Sequence, residues 1–286
     1  MYVRYAIAMS RKYIVFSVVC MCSAVLLVVL LFRPSAAVLT VTFLDVGQGD
    51  AIFIESPTGG QMLVDGGKGA AVLRELGRTM HFFDRTIDVV LATHPDMDHI
   101  GGLPDVLQRY AVGQVLISGV EDAGSDNVAF LHAVEHEGLV PHSVRAGEVL
   151  SLGGGVFVQV LFPKQDMPDS DQNAASVVVR VVYGGTSFLL TGDAPSGIEQ
   201  YLAAEYGSGL HADVLKLGHH GSRTSSSEVF LDAVAPQYVV VSAGCTNSYG
   251  HPHEDVLQRV RERGSVVRQT CGGRVVFQSD GERVMD

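Results

Sequence analysis

Basic residues are scarce in this chain. Its 286 residues carry 20 Lys and Arg against 31 Asp and Glu, and four of the basic groups but none of the acidic ones fall in the first 37 residues. Residues 38–286 therefore hold a formal charge of −15, which is not the electrostatic footprint of a protein that coats nucleic acid. Cysteine is scarce too, with four residues. Cys20 and Cys22 sit inside an apolar run and read as small hydrophobes. Cys245 and Cys271 are expected to stay a pair of thiols, because a chain this long buries enough core without a bridge. Low-complexity segments and short repeats are missing as well, so one large domain with a short appendage is the expectation.

The appendage is IVFSVVCMCSAVLLVVLLF, residues 14–32, nineteen positions without a charge between Arg11 and Lys12 on one side and Arg33 on the other. At helical rise that length spans the hydrocarbon core of a bilayer. A cleaved signal would have a shorter apolar stretch and a better cleavage site than Ser35-Ala36-Ala37, so an anchor over residues 13–33 is the favoured reading. Arg4, Arg11 and Lys12 precede the run, whereas Arg33 stands alone behind it until Lys68. The positive-inside rule then keeps residues 1–12 in the cytoplasm and sends residues 38–286 outward.

Within that domain, VLTVTFLDV (38–46), AIFIES (51–56) and QMLVDGG (61–67) read as three strands joined by tight turns. An alternation follows: an amphipathic stretch near 69–80, a strand at 86–94, a helix from about Ile100 to Arg109, a strand at 114–118 and a helix over 127–137. The second half follows the same scheme, with strands at 156–162, 176–183 and 186–191. Helices and strands then alternate through 196–204, 213–220, 226–234, 237–244 and 254–263, and SVVRQT and RVVFQS form a last pair. This order predicts an α/β (α+β) chain of two mixed sheets packed face to face with helices outside.

The chemistry concentrates at strand ends. THPDMDHIGG (93–102) begins where the apolar strand DVVLAT stops, so His94, Asp96, Asp98 and His99 fall where α/β proteins place ligands. Alternating side chains there can share one concavity, and imidazole with carboxylate is the ligand set of zinc, manganese or iron. Asp193 closes FLLTGD, His219 and His220 close DVLKLGHHGS together with Ser222, and NSYGHPH carries His251 and His253. Two adjacent histidines point in different directions, so one of His219 and His220 is an easy metal ligand and the other is free for substrate. A serine nucleophile is not expected, since GHHGS lacks the strand-Ser-helix elbow.

These residues resemble a known family. HPDMDH is similar to the histidine and aspartate motif of the metallo-β-lactamase fold, with Asp96 in place of the second histidine of its commonest form. FLDVGQGDAIFIES, QMLVDGG, SVVVRVVYGGTSFLLTGD, KLGHHGS and YGHPH resemble the hydrolase domain of the bacterial competence protein ComEC over about residues 40–277. The resemblance implies a four-layer αββα sandwich holding one or two divalent ions, zinc or manganese. His94 and Asp96 would face one metal, Asp98 and His99 a second, Asp193 would bridge them, and His219 would complete the second site. His220 and Ser222 would face substrate. The histidine that usually completes the first site is absent, so Asn173 or a water would serve there. Asp50 and Asp65 have family counterparts, and hydrogen bonding in buried turns accounts for both.

A metal-activated water would attack a phosphoryl or acyl centre. Asp96, Asp98 or Asp193 would take a proton, and His220, His251 or His253 would supply one to the leaving group. The implied activity is hydrolysis of a phosphodiester or phosphate ester, single-stranded DNA among them, with competence or envelope machinery as partners. With one apolar span in this sequence, DNA passage through a pore of its own is not expected. Two alternatives stay open: a small envelope phosphoester hydrolase resembling phosphocholine esterases, and a metal-binding module without catalysis.

Overall fold

Short β-branched runs and amphipathic helices build two sheets in the computed structural model, which describes residues 16–23, 38–165, 167 and 171–286. The first sheet contains β1 (Leu39–Phe43), β2 (Ile52–Glu55), β3 (Gln61–Val64), β4 (Thr86–Ala92), β5 (Ala111–Ile117) and β6 (His142–Ser143). The second contains β7 (Val149–Gly153), β8 (Val156–Phe162), β9 (Val178–Tyr183), β10 (Thr186–Leu190), β11 (Val214–Lys216), β12 (Tyr238–Val241) and β13 (Val266–Gln269). The chain then returns to the first sheet as β14 (Val275–Ser279) and β15 (Val284–Met285), giving the orders β15-β14-β1-β2-β3-β4-β5-β6 and β13-β12-β11-β10-β9-β8-β7.

Neighbours are antiparallel from β1 to β3 and parallel from β3 to β6, so β1, β3, β4 and β5 all run one way. In the second sheet β10 to β13 are parallel. The helices are α1 (Ala71–Thr79), α2 (Met97–Ile100), α3 (Leu103–Arg109), α4 (Ser125–His136), α5 (Ser196–Tyr206), α6 (Glu228–Val234) and α7 (Glu254–Glu262).

Three apolar layers separate four structural ones. Phe43, Ile54, Val158, Phe188 and Phe277 belong to the core between the sheets. Leu76, Val90, Leu103 and Phe130 join the first sheet to its helices, and Leu189, Leu202, Phe230 and Val256 join the second sheet to its own. The αββα sandwich implied by the resemblance is the architecture observed. Phe277 on β14 lies edge-on to Phe43 and Phe188, with ring centroids 6.1 and 6.3 Å away, so the returning strand helps to close the inter-sheet core.

Two expectations need correction. SVVRQT and RVVFQS do not pair with each other: β13 lies parallel to β12 in the second sheet, while β14 lies antiparallel to β1 in the first. Cys245 and Cys271 are bridged, with Cα atoms 4.9 Å apart. They follow β12 and β13, neighbouring parallel strands whose register sets Val241 against Gln269, so both loops leave the same sheet edge together.

Val38–Asp286 forms one compact unit, and Met1–Ala37 is separate from it. Residues 16–23 are helical and exposed. The rest of the expected anchor 13–33 and the amino-terminal residues 1–12 lie outside the described residues. Among the described residues no helix is long and apolar enough to cross a membrane.

Candidate metal centre

Both sheets deliver polar side chains to one edge. Asp65 follows β3, Thr93 and His94 follow β4, and Asp193 follows β10, while His219 and His220 follow β11. The Gly-Gln-Gly-Asp turn after β1 closes over them, its Asp50 N–H donating to Asp98 O at 3.1 Å. Gly49 makes that approach possible, since a Cβ there would lie 2.0 Å from Asp98 O. Gly102 serves the helix side likewise, where a Cβ would meet Gly66 O at 2.3 Å.

His99 is held from behind. Its Nδ1 lies 2.7 Å from Asp65 Oδ2, and Asp65 also accepts the Thr93 N–H and hydroxyl at 2.8 and 2.7 Å. Because the Thr93 hydroxyl is committed to Asp65, it accepts from His94 Nδ1, 3.0 Å away. Both rings, packed with centroids 4.0 Å apart, thus turn Nε2 toward the centre. His99 Nε2 lies 3.3 Å from Asp193 Oδ1. His220 enters from the opposite sheet with Nε2 3.4 Å from Asp98 Oδ2 and 3.4 Å from Asp193 Oδ2, and with Nδ1 3.5 Å from Asp50 Oδ1. His219 and His220 both adopt left-handed backbone, φ 48 and 55, a conformation side chains other than glycine rarely hold without support.

A lysine completes the group. Lys216 is fully buried at the end of β11, donates to Gly192 O at 2.9 Å, lies 3.5 Å from Asp193 Oδ1 and pairs closely with Asp50. Burial disfavours the charge of Asp50, but Lys216 and His220 outweigh it and bring its carboxyl down to about 2. Asp193 sits well below the usual range, where burial is overcome by His220, His99 and Lys216. Asp98 is lowered against its own burial by the His220 and His99 imidazoles beside it. Burial opposes protonation of His99 and His220 too. Asp193 with Asp65 for the one, and with Asp50 for the other, nevertheless raises both well above the ordinary imidazole value.

Among the described residues, His94 Nε2, His99 Nε2 and both nitrogens of His220 are buried without a hydrogen-bond partner. Buried donors and acceptors are seldom left so. His94, His99 and Asp193 offer ligand atoms within 4.8 Å of one another, and so do Asp98, His99 and His220. This nitrogen and oxygen set suits a divalent transition metal, and the orphaned Nε2 atoms of His94 and His99 in the first group, and of His99 and His220 in the second, fit such an ion.

The structure brings His94, Asp98, His99 and Asp193 together, and keeps Asp96 at the rim with its Oδ2 3.7 Å from His94 Nε2. The adjacent histidines are placed in the reverse of the expected way. His220, assigned to substrate, is the buried one between Asp98 and Asp193. His219, assigned to metal, is partly exposed, its Nδ1 3.1 Å from Thr224 Oγ1 and its Nε2 3.8 Å from Asp193 Oδ2. Ser222 Oγ accepts from the Thr224 hydroxyl at 3.0 Å, so it steadies the His219 ring through Thr224.

His251 lies beside this pair, with its ring 5.6 Å from His219 and 5.0 Å from His253. Burial and the neighbouring His219 and His220 push His251 down to about 4, so it is neutral near pH 7 and is not a ready acid. Asn173 opens the turn Asn173–Ala175 with its Oδ1 buried and unpartnered. The same segment reaches the centre through Ser176 Oγ, which accepts Asp193 N–H at 3.2 Å. Lys216 escaped the sequence reading, and so did the place of Asp50 against it. The signal available was a lysine inside an apolar strand, DVLKLG.

Residues 44–244 match the metallo-beta-lactamase superfamily. ComE operon protein 3 of Bacillus subtilis is 31% identical over 275 residues, covering 90% of this chain and 35% of that protein. Competence protein ComA of Neisseria gonorrhoeae is 35% identical over 251 residues, covering 86% and 33%. The chain thus spans about a third of the length of these curated relatives. Among solved structures, CmlA, a diiron β-hydroxylase from Streptomyces venezuelae, shares the fold with a TM-score of 0.56 at 18% identity, over 84% of this chain and 54% of that one.

Proposed function

The chain belongs to the metallo-β-lactamase superfamily, and from that premise we propose that it is a metal-dependent hydrolase of phosphodiester bonds, acting on single-stranded DNA from the outer face of the membrane. One observation carries the reading: three imidazole Nε2 atoms without hydrogen-bond partners, on His94, His99 and His220, face the carboxylates of Asp98 and Asp193. The competence proteins among the relatives support nucleic acid as substrate, and the run 14–32 supports the membrane location.

His94, His99, His220, Asp98 and Asp193 would hold the ion. Each oxygen of Asp193 faces a different imidazole, which suits a shared ligand. A divalent cation held there would supply Lewis acidity and would make water acidic enough to act as a nucleophile near neutral pH. His219 Nε2 is the atom placed to receive the proton of the attacking water: its Nδ1 is occupied by Thr224, and burial keeps the ring below the ordinary imidazole value and so unprotonated. His251, neutral near pH 7, and His253 beside it line the mouth as hydrogen-bonding groups for substrate. Ser222, engaged by Thr224, is not a nucleophile.

A small envelope phosphoester is the second reading, favoured by the charge of −15 on residues 38–286. The test is turnover by the metal-loaded full chain on single-stranded DNA, bis(p-nitrophenyl) phosphate, p-nitrophenyl phosphate, a phosphocholine ester and a chromogenic lactam. Diester and DNA cleavage are expected. Cleavage of the small esters without DNA selects the second reading, lactam cleavage alone refutes both, and a protein that binds no metal and turns nothing over is a non-catalytic module.

A further inference from the structure

The edge opposite the metal centre carries a surface of another kind. Between α1 and β4, Phe82 and Phe83 are 73% and 81% exposed, with ring centroids 5.0 Å apart. Arg85 lies over Phe82, its guanidinium carbon 5.9 Å from the ring centroid. Arg78 at the end of α1 and Arg109 at the end of α3 are exposed on the same side. A cleft of about 240 Å³ runs among them, lined by Phe82, Arg85, Arg109 and Tyr110. Two acids lie nearby: Asp84 is committed to Gln61 Nε2 at 2.6 Å and to the Thr86 hydroxyl at 2.8 Å, and Glu75 accepts from Arg78 at 2.8 Å, which pairs off that arginine. In a domain this acidic, two exposed phenylalanines ringed by arginines are out of character, and two large apolar side chains in water need a reason.

The topology says where this patch lies. β1 and β4 run in the same direction, and the ladder carries Thr40 to Glu55, Glu55 to Gln61 and Met62 to Val89. Val38, where the chain enters this unit, is therefore level with the start of β4, three strands away, or about 14 Å at the ordinary strand spacing of about 4.8 Å. The sequence leaves residues 33–37 between the apolar run and Val38, a reach of at most about 18 Å when fully extended.

We propose that Phe82 and Phe83, with Arg85 and Arg109, dock the domain on an anionic lipid surface, leaving the metal centre on the opposite edge turned to the surroundings. Exposed phenylalanines bury at the boundary between headgroups and acyl chains, and arginines beside them meet lipid phosphates, each basic group adding roughly fivefold in affinity. The patch goes beyond the hydrolase reading and does not depend on which ester is cleaved.

The chain contains no tryptophan, so Phe82→Trp installs a single reporter. The full chain is reconstituted into vesicles of phosphatidylglycerol and phosphatidylcholine, with and without brominated acyl chains. Tyr249→Trp, exposed on the loop beside the metal centre, is the control. Blue-shifted emission quenched by brominated lipid for Phe82→Trp, with solvent-like unquenched emission for Tyr249→Trp, is the expected result. Weaker quenching in vesicles of phosphatidylcholine alone, and in Phe82→Trp carrying Arg85→Gln and Arg109→Gln, is expected as well. Solvent-like emission of Phe82→Trp overturns the proposal. So does a blue shift that brominated lipid leaves unquenched, because the rings would then be covered by protein.

Discussion

Asp65 Oδ2 lies 2.7 Å from His99 Nδ1, and this contact decides which face of the imidazole the centre sees. With Nδ1–H donated to a carboxylate that is itself fixed by Thr93, only Nε2 remains for a ligand role. Asp65→Ala is expected to weaken metal binding by about 10–100-fold. Competition against a chromophoric chelator measures it, and unchanged affinity would mean that His99 needs no such support.

Lys216 makes a different contribution. Fully buried against Asp50 and Asp193, it compensates carboxylates that the metal would otherwise have to neutralise unaided. Lys216→Met leaves them uncompensated, and breaking a buried pair from one side costs about 3–5 kcal/mol. Urea unfolding of the metal-free protein should show that loss, and saturating metal should recover part of it. Equal stability of the variant and the parent would remove the lysine from this account.

Acidity should act on the metal-free and metal-loaded forms in opposite senses. His99 and His220 have folded-state pKa values raised above the ordinary 6.5, chiefly because Asp193 overcomes the cost of burial. Their contribution to stability is then complete below about pH 6.5 and disappears as pH rises through the raised values. Metal binding must displace the same protons, so affinity should climb with pH and binding should release protons. Titration calorimetry in buffers of differing ionisation enthalpy reads the proton count. A count of zero, or a metal-free protein whose melting temperature rises from pH 6.5 to 9, contradicts the arrangement.

Much of this centre is legible in the sequence because of where the polar residues stop the apolar runs. DVVLAT is followed by His94, FLL by Thr-Gly-Asp193, and DVLKLG by His219 and His220, so the strand ends mark the site. The order of the two histidines is not legible. It is set by left-handed backbone at both positions and by Thr224, which claims the ring of His219 from five residues downstream. Lys216 and Asp50 meet across two sheets from positions far apart in the chain, and no local pattern announces that. The last two strands mislead for a similar reason: RVVFQS looks like the partner of SVVRQT, yet the inter-sheet core needs Phe277 beneath Phe43, and burial wins over sequence proximity. Cys245 and Cys271 are separated by 26 residues, and their proximity depends on a parallel register that composition does not reveal.

The bridge between those cysteines closes a loop that includes His251 and His253, so its removal should be felt in stability before chemistry. The chain-entropy model gives about 3.5 kcal/mol for a loop of this length. Cys245→Ser with Cys271→Ser is expected to lower the unfolding free energy by about that amount while metal content stays at the parent level, since neither cysteine touches the candidate ligands. A reduced protein that unfolds with the parent's midpoint would show that the bridge adds nothing.

His219 and His220 separate the two halves of the proposed chemistry. His220 Nε2 stands between Asp98 and Asp193, 3.4 Å from each, so His220→Ala removes a ligand atom and should cost both metal content and turnover. His219 Nε2 lies farther out, 3.8 Å from Asp193 Oδ2, on a ring tied to Thr224. His219→Ala should retain the metal and lose roughly 10²–10⁴ in rate, the usual worth of a positioned base. It should also lose the acidic limb of the pH–rate profile, because that limb reports the base that must be unprotonated. Thr224→Val is the finer probe: it leaves the imidazole in place and frees its Nδ1, so a smaller loss with a shifted limb is expected. Elemental analysis and initial rates on the four proteins settle the matter. If His219→Ala sheds metal while His220→Ala keeps it, the placement read from the structure does not describe the working site, and the assignment reverts to the order first expected from the sequence.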